Sequence, residues 1–156
     1  RGNVDSRIGK VKNGKLDAII LAKSGLERLG VKENYLSLDP SLIVPAVGQG
    51  AIALVVNVQN LGVKELLKSL NDKDTFIEVS CERAFLEALD GSCKTPVGAF
   101  AKRDKKRDKE FINFSYFAST LNGKNFISDK KKFILSNCLD ESYNLGKDVK
   151  RQLKLV

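Results

Sequence analysis

Glu110-Phe111-Ile112-Asn113-Phe114-Ser115-Tyr116-Phe117-Ala118-Ser119-Thr120 is the longest of three candidate strands in the second half of the chain. The others are residues 97–102 and 123–127, and the charged run at 102–110 reads as the hairpin loop between the first two. Outward from this trio, a long helix is expected from a cap at Asp72 or Asp74 through about Leu89, with Phe76, Ile77, Ala84 and Leu86 among its apolar members. A last helix is expected from Asp140 through Leu153. Helix, three strands, helix describes an α+β module: a three-stranded antiparallel sheet with its helices on one face. The loop from the long helix into the first strand is Asp90-Gly91-Ser92-Cys93-Lys94-Thr95-Pro96.

Upstream, Val4, Ile8 and Val11 recur at helical spacing, and Asn13-Gly14 is a stop signal. Leu16-Asp17-Ala18-Ile19-Ile20-Leu21-Ala22 is an apolar run of strand length. Ser24-Gly25-Leu26-Glu27-Arg28-Leu29-Gly30 reads as a short helix with a glycine just past its end. Helix, strand, helix fits one arm of an α/β sheet with parallel strands, lacking its opening strand. A polar connection at 31–44 turns at Asp39-Pro40. Val44-Pro45-Ala46-Val47-Gly48-Gln49-Gly50 then enters a second apolar candidate strand at 51–56. Residues 64–70 form a helix with an apolar face at Leu66, Leu67 and Leu70, and a boundary is expected near 71–74.

The chain has 156 residues, 42% of them hydrophobic and 29% charged, which is a globular composition. Lys and Arg total 27 against 19 Asp and Glu, so anionic partners are favoured. The basic excess is shared equally between residues 1–71 and 72–156 and marks neither half. No apolar window is long enough for a membrane span, and the N-terminus has no apolar signal core. Without Met at position 1, a processed, excised or partial chain is expected. There is no His. This removes imidazole-based Ser and Cys hydrolase chemistry and His-containing zinc or haem sites. Three cysteines without CxxC spacing are too few for an all-cysteine metal site, so no metal is expected. They also argue against a disulfide framework and for a reducing compartment.

Four features are candidates for chemistry. Arg1, Arg7 and Arg28 lie on or beside helices that follow strands in an α/β sheet, where anions gather. Their planar forks suit carboxylates, though the same spacing fits solvated surface arginines. Gly48-Gln49-Gly50, just before an apolar run, reads either as a tight turn or as close backbone approach to another group. Cys93 sits beside Lys94 in a loop without apolar neighbours, a setting that lowers a thiol pKa. Cys81 within the long helix and Cys138 read as buried filler. The basic run at 102–110 is interrupted by acids and lacks nucleic-acid signatures, so it reads as a solvated hairpin.

Several stretches together resemble the porphobilinogen deaminase (hydroxymethylbilane synthase) family of tetrapyrrole synthesis. They are Arg1-Gly2-Asn3-Val4 with Arg7, the runs at 16–22 and 25–30, and Pro45-Ala46-Val47-Gly48-Gln49-Gly50-Ala51. Glu82-Arg83-Ala84-Phe85-Leu86 and Gly91-Ser92-Cys93-Lys94-Thr95-Pro96-Val97-Gly98 complete the set. They run in family order to about residue 101, and residues 102–156 match in outline. Ser92 stands where a glycine is usual, and Ser6 replaces a frequent Thr.

The resemblance implies two periplasmic-binding-protein-like α/β domains followed by a small α+β domain. Residues 1–44 would be the later part of domain 2, 45–71 the crossover strand and helix returning to domain 1, and 72–156 domain 3. It implies a dipyrromethane cofactor held by a thioether at Cys93. Arg1, Arg7 and Arg28 would bind acetate and propionate groups of cofactor and substrate, and Gln49 and Gly50 would line the cleft at the hinge. The implied reaction deaminates porphobilinogen to an electrophilic methylene-pyrrole, adds four substrates in turn and releases hydroxymethylbilane by water. The family's key Asp lies upstream of Arg1, so the chain alone is expected to be inactive and to need the N-terminal half as partner. The complete enzyme is expected to be a monomer in the cytoplasm or a plastid stroma, with neither nucleic acid nor membrane as partner. Two alternatives stand beside it: a non-catalytic carboxylate-binding module of periplasmic-binding type, and a basic nucleic-acid-binding domain.

Overall fold

The computed structural model describes residues 2–40, 42–90, 96–106 and 109–154. Their contacts group into two units, Arg1–Asp39 and Pro40–Val156. In the first, α1 spans Val4–Lys12. Asn3 caps it, its side-chain oxygen accepting the Ser6 N–H at 3.0 Å, so one of the helix's orphan donors is satisfied. Gly14, at φ +66°, takes the left-handed turn that follows. α2 spans Lys23–Arg28 and buries Leu26.

The second unit holds α3 (Leu61–Lys68), α4 (Lys73–Ala88), β1 (Val97–Lys106), β2 (Lys109–Ser119), β3 (Phe126–Ile134) and α5 (Cys138–Leu153). The strands form one antiparallel sheet in the order β1-β2-β3. α4 packs on β1, α5 packs on β2 and β3, and the two helices pack on each other. The helices and sheet agree with the α/β and α+β class read from the sequence. Strand alternation explains the layering: Ile112, Phe114, Tyr116 and Ala118 of β2 all point to the helix side and are buried. Phe85 of α4 is fully buried against this row, its ring 5.5 Å from Phe114 and 5.3 Å from Tyr116, within the range of favourable aromatic pairs.

Several local expectations need correction. The runs at 16–22 and 51–56 are not strands. A strand exists only through hydrogen bonds to a neighbour, and among the described residues none pairs with either run. Ile20, Ile52, Leu54 and Val55 are accordingly exposed. Within the charged run at 102–110, residues 102–106 and 109–110 are strand rather than loop: the β1–β2 ladder continues to the pair Lys106↔Lys109. Its charges are matched across strands, Arg103 bonding Glu110 at 2.7 Å and also pairing with Asp74. β3 begins at Phe126 rather than Gly123 and runs on through Asp129-Lys130-Lys131-Lys132 to Ile134. That lysine-rich stretch suits an edge strand, where charge blunts unwanted pairing. Asp72, not Asp74, caps α4, accepting the Thr75 N–H at 2.7 Å. Asp140 lies inside the first turn of α5 rather than at its cap.

Candidate functional site

β1 is an edge strand, so every second N–H along it points away from β2. Three of these donors find acceptors in succession. Ala99 donates to the Pro45 carbonyl at 3.0 Å, Ala101 to Glu82 Oε1 at 2.9 Å and Arg103 to Glu78 Oε1 at 2.7 Å. The spacing is physical: residues four apart on a helix rise about 6 Å, and residues two apart on a strand rise about 6.8 Å. Glu78 and Glu82 of α4 therefore track alternate donors of β1.

Glu82 does more than cover the edge. Its other oxygen, Oε2, accepts the Gly48 N–H at 2.7 Å, so one carboxylate ties the 46–51 turn to β1. That turn is closed by Gln49 N–H to Ala46 O at 3.0 Å and Ala51 N–H to Gly48 O at 3.2 Å. Gly48 and Gly50 sit at φ +69° and +88°, which glycine adopts without steric cost. Close backbone approach occurs instead at Gly98, where an added Cβ would stand 2.8 Å from both the Val44 and Pro45 oxygens. A cavity of about 170 Å³ opens beside the turn, with Gln49, Gly50, Glu78 and Glu82 among its walls. Glu82 is only 5% exposed. Burial raises its pKa above the usual carboxylate value, the Ala101 and Gly48 N–H groups lower it, and nearby Glu78 adds to the rise.

Arg7 and Arg28 fall in the first unit, and Gln49 and Gly50 in the second. Arg7 is half-buried and donates from Nη2 to the Ile20 carbonyl at 2.9 Å. One such bond uses one of a guanidinium's five donors and orients its plane. Arg28 is exposed in the last turn of α2, and Gln49 and Gly50 are exposed on their turn. Arg1 and Cys93 lie outside the described residues. Cys81 and Cys138 are buried and unbridged. Burial, reinforced by the adjacent Cys138 thiol, pushes the Cys81 thiol up to about 12, so it stays protonated and inert. Among the described residues no His/Cys/Asp/Glu group could hold a metal ion. None of their helices is long and apolar enough to cross a membrane.

Sequence reasoning passed over Glu82 as a site residue. Its signal was faint but present: an acid three and seven residues before Phe85 and Leu89, on a helical face that is otherwise buried.

Two family models match the chain in succession. "Porphobilinogen deaminase, dipyromethane cofactor binding domain" covers residues 1–65, and "Porphobilinogen deaminase, C-terminal domain" covers residues 76–154. The chain belongs to the porphobilinogen deaminase family. Relatives agree. Porphobilinogen deaminase of Sorangium cellulosum (strain So ce56) is 46% identical over 105 residues, 67% of this chain and 35% of that protein. The chloroplastic porphobilinogen deaminase of Pisum sativum is 47% identical over 108 residues, 67% of this chain and 29% of that protein. The probable porphobilinogen deaminase of Nitrosopumilus maritimus (strain SCM1) is 34% identical over 152 residues, 97% of this chain and 48% of that protein. The chain thus spans less than half the length of these porphobilinogen deaminases. In family terms, the α4–β1–β2–β3–α5 module falls in the C-terminal-domain match from residue 76 onward, and the Gly48 turn lies within the cofactor-binding match.

Proposed function

We propose that this chain is part of a porphobilinogen deaminase, a transferase that joins four porphobilinogen molecules head-to-tail on a covalent dipyrromethane primer to give hydroxymethylbilane. The observation that carries the proposal is the order of the two family matches on one chain, cofactor-binding domain first and C-terminal domain second. In this reading residues 1–44 complete domain 2, residues 45–71 return to domain 1 and residues 72–156 are domain 3. Cys93 anchors the cofactor, which when bound supplies the pyrrole end on which the product grows. Arg1, Arg7 and Arg28 hold the carboxylates of cofactor and substrate, while Gln49 and Gly50 line the cleft.

The residues present suit that group. Every porphobilinogen-derived ring carries two carboxylates, so a growing chain accumulates negative charge. Guanidinium forks answer such charge bidentately and hold successive rings in register. Arg7, oriented by the Ile20 carbonyl, has donors left for this task. Nothing in the proposed chemistry needs an imidazole, in keeping with a chain that has no His. The acid that would stabilise cationic pyrrole is expected upstream of Arg1, so activity requires the family's N-terminal half. A monomer is the proposed form of the complete enzyme, with porphobilinogen as substrate and neither nucleic acid nor membrane as partner. Cytoplasm is the proposed location. Plastid stroma is the variant supported by chloroplastic relatives from Pisum sativum and Oryza sativa subsp. japonica.

Intact mass tests the proposal. Co-expressed with the family's N-terminal half, the wild-type chain should carry a dipyrromethane adduct that Cys93→Ser abolishes. No adduct on the wild-type chain would favour a non-catalytic carboxylate-binding module instead.

A further inference from the structure

The Gly48 turn has short closing bonds of its own, yet nothing within it fixes its position against the sheet. That position is set from outside. The Glu82 carboxylate takes the Gly48 N–H on one oxygen and the Ala101 N–H on the other, and the Pro45 carbonyl takes the Ala99 N–H beside them. We propose that Glu82 is a positioning residue for the cleft: by bridging Gly48 and β1 it holds the turn in place and so aims Gln49 and Gly50 at the bound pyrrole groups. The inference rests on the proposal that this turn lines the cofactor and substrate cleft.

An ionised carboxylate suits this part. It offers acceptors on both oxygens, whereas a glutamine amide offers one acceptor and one donor. In Glu82→Gln an NH₂ group must face a backbone N–H, so one of the two bonds is lost in a nearly closed space. A shorter carboxylate, Glu82→Asp, keeps both acceptors but reaches less far. These two variants separate charge and acceptor number from reach.

The test is a double-mutant cycle in the complete enzyme, combining Glu82→Gln with Gln49→Ala, with hydrogen exchange read on peptides containing Gly48 and Ala101. Exchange at one of these amides should quicken about tenfold or more in Glu82→Gln, the scale of one lost hydrogen bond to a charged group. kcat/KM should fall about tenfold in each single variant and little further in the double, because both act through the same turn. Glu82→Asp should recover part of the loss, and it carries the cycle if Glu82→Gln fails to fold. Fully additive effects, or unchanged exchange at both amides, would overturn the positioning role. The adduct mass is read on the same samples. Its absence from the wild type would count against the deaminase proposal, while the exchange result would still decide whether Glu82 holds the turn.

Discussion

At the scale of single residues, Glu82 combines opposing demands. Its two N–H bonds favour the carboxylate, and burial and Glu78 disfavour it, with burial the largest influence. The net rise means that the folded protein binds this proton more tightly than the unfolded chain does. The associated stability is fully present below the unfolded pKa and is lost as pH rises through the higher folded pKa. Glu82→Gln cannot ionise and lacks this dependence. Wild type should therefore gain stability relative to Glu82→Gln as pH falls from neutrality towards the ordinary glutamate value of 4.5. Urea unfolding of both proteins across that interval checks this, and a constant gap would mean that Glu82 titrates normally. Folding therefore favours the protonated form of Glu82 over the ionised one, relative to the unfolded chain.

At the scale of elements, the α4–α5 contact depends on a missing side chain. A Cβ on Gly146 would stand 2.6 Å from the Phe85 carbonyl oxygen and 2.7 Å from the Ala88 Cβ. Neither is the flexible end of a side chain, so the helices would have to separate. Glycine is a poor helix former, and its presence within α5 is explained by this approach rather than by propensity. Gly146→Ala should destabilise by about 1–3 kcal/mol through overpacking, although alanine is the better helix former, and urea denaturation gives the value. An unchanged or higher stability would show that α4 and α5 do not meet this closely. Both helices were legible in the sequence, α4 with its Asp72 cap and α5 without its true start, and so was β2. β3 was read too short because its lysines resemble a loop. Those lysines sit at an edge, which only the strand order reveals.

At the scale of the whole molecule, one piece of the cofactor-binding match packs on the C-terminal-domain match: the segment around Val44–Gly50 lies beside the outer edge of β1, with Val47 packed against the core. Gly98 permits it. Gly98→Val would drive a side chain into the Val44 and Pro45 oxygens and should push the segment off β1. Exchange at Gly48 and Ala99 should then rise sharply while α4 and α5 amides keep their protection. Loss of protection throughout would instead show that the segment is integral to the module's stability. By itself the sequence established the helices, the antiparallel module, the absence of imidazole chemistry from its own residues and the family resemblance. Those properties depend on local periodicity, composition and short motifs. It could not decide whether the apolar runs at 16–22 and 51–56 pair as strands, because pairing depends on a neighbour and not on the run. Nor could it reveal that Glu82 reaches across 34 residues to Gly48 and 19 to Ala101. Only the packing of α4 against an edge strand brings those backbone donors to one carboxylate.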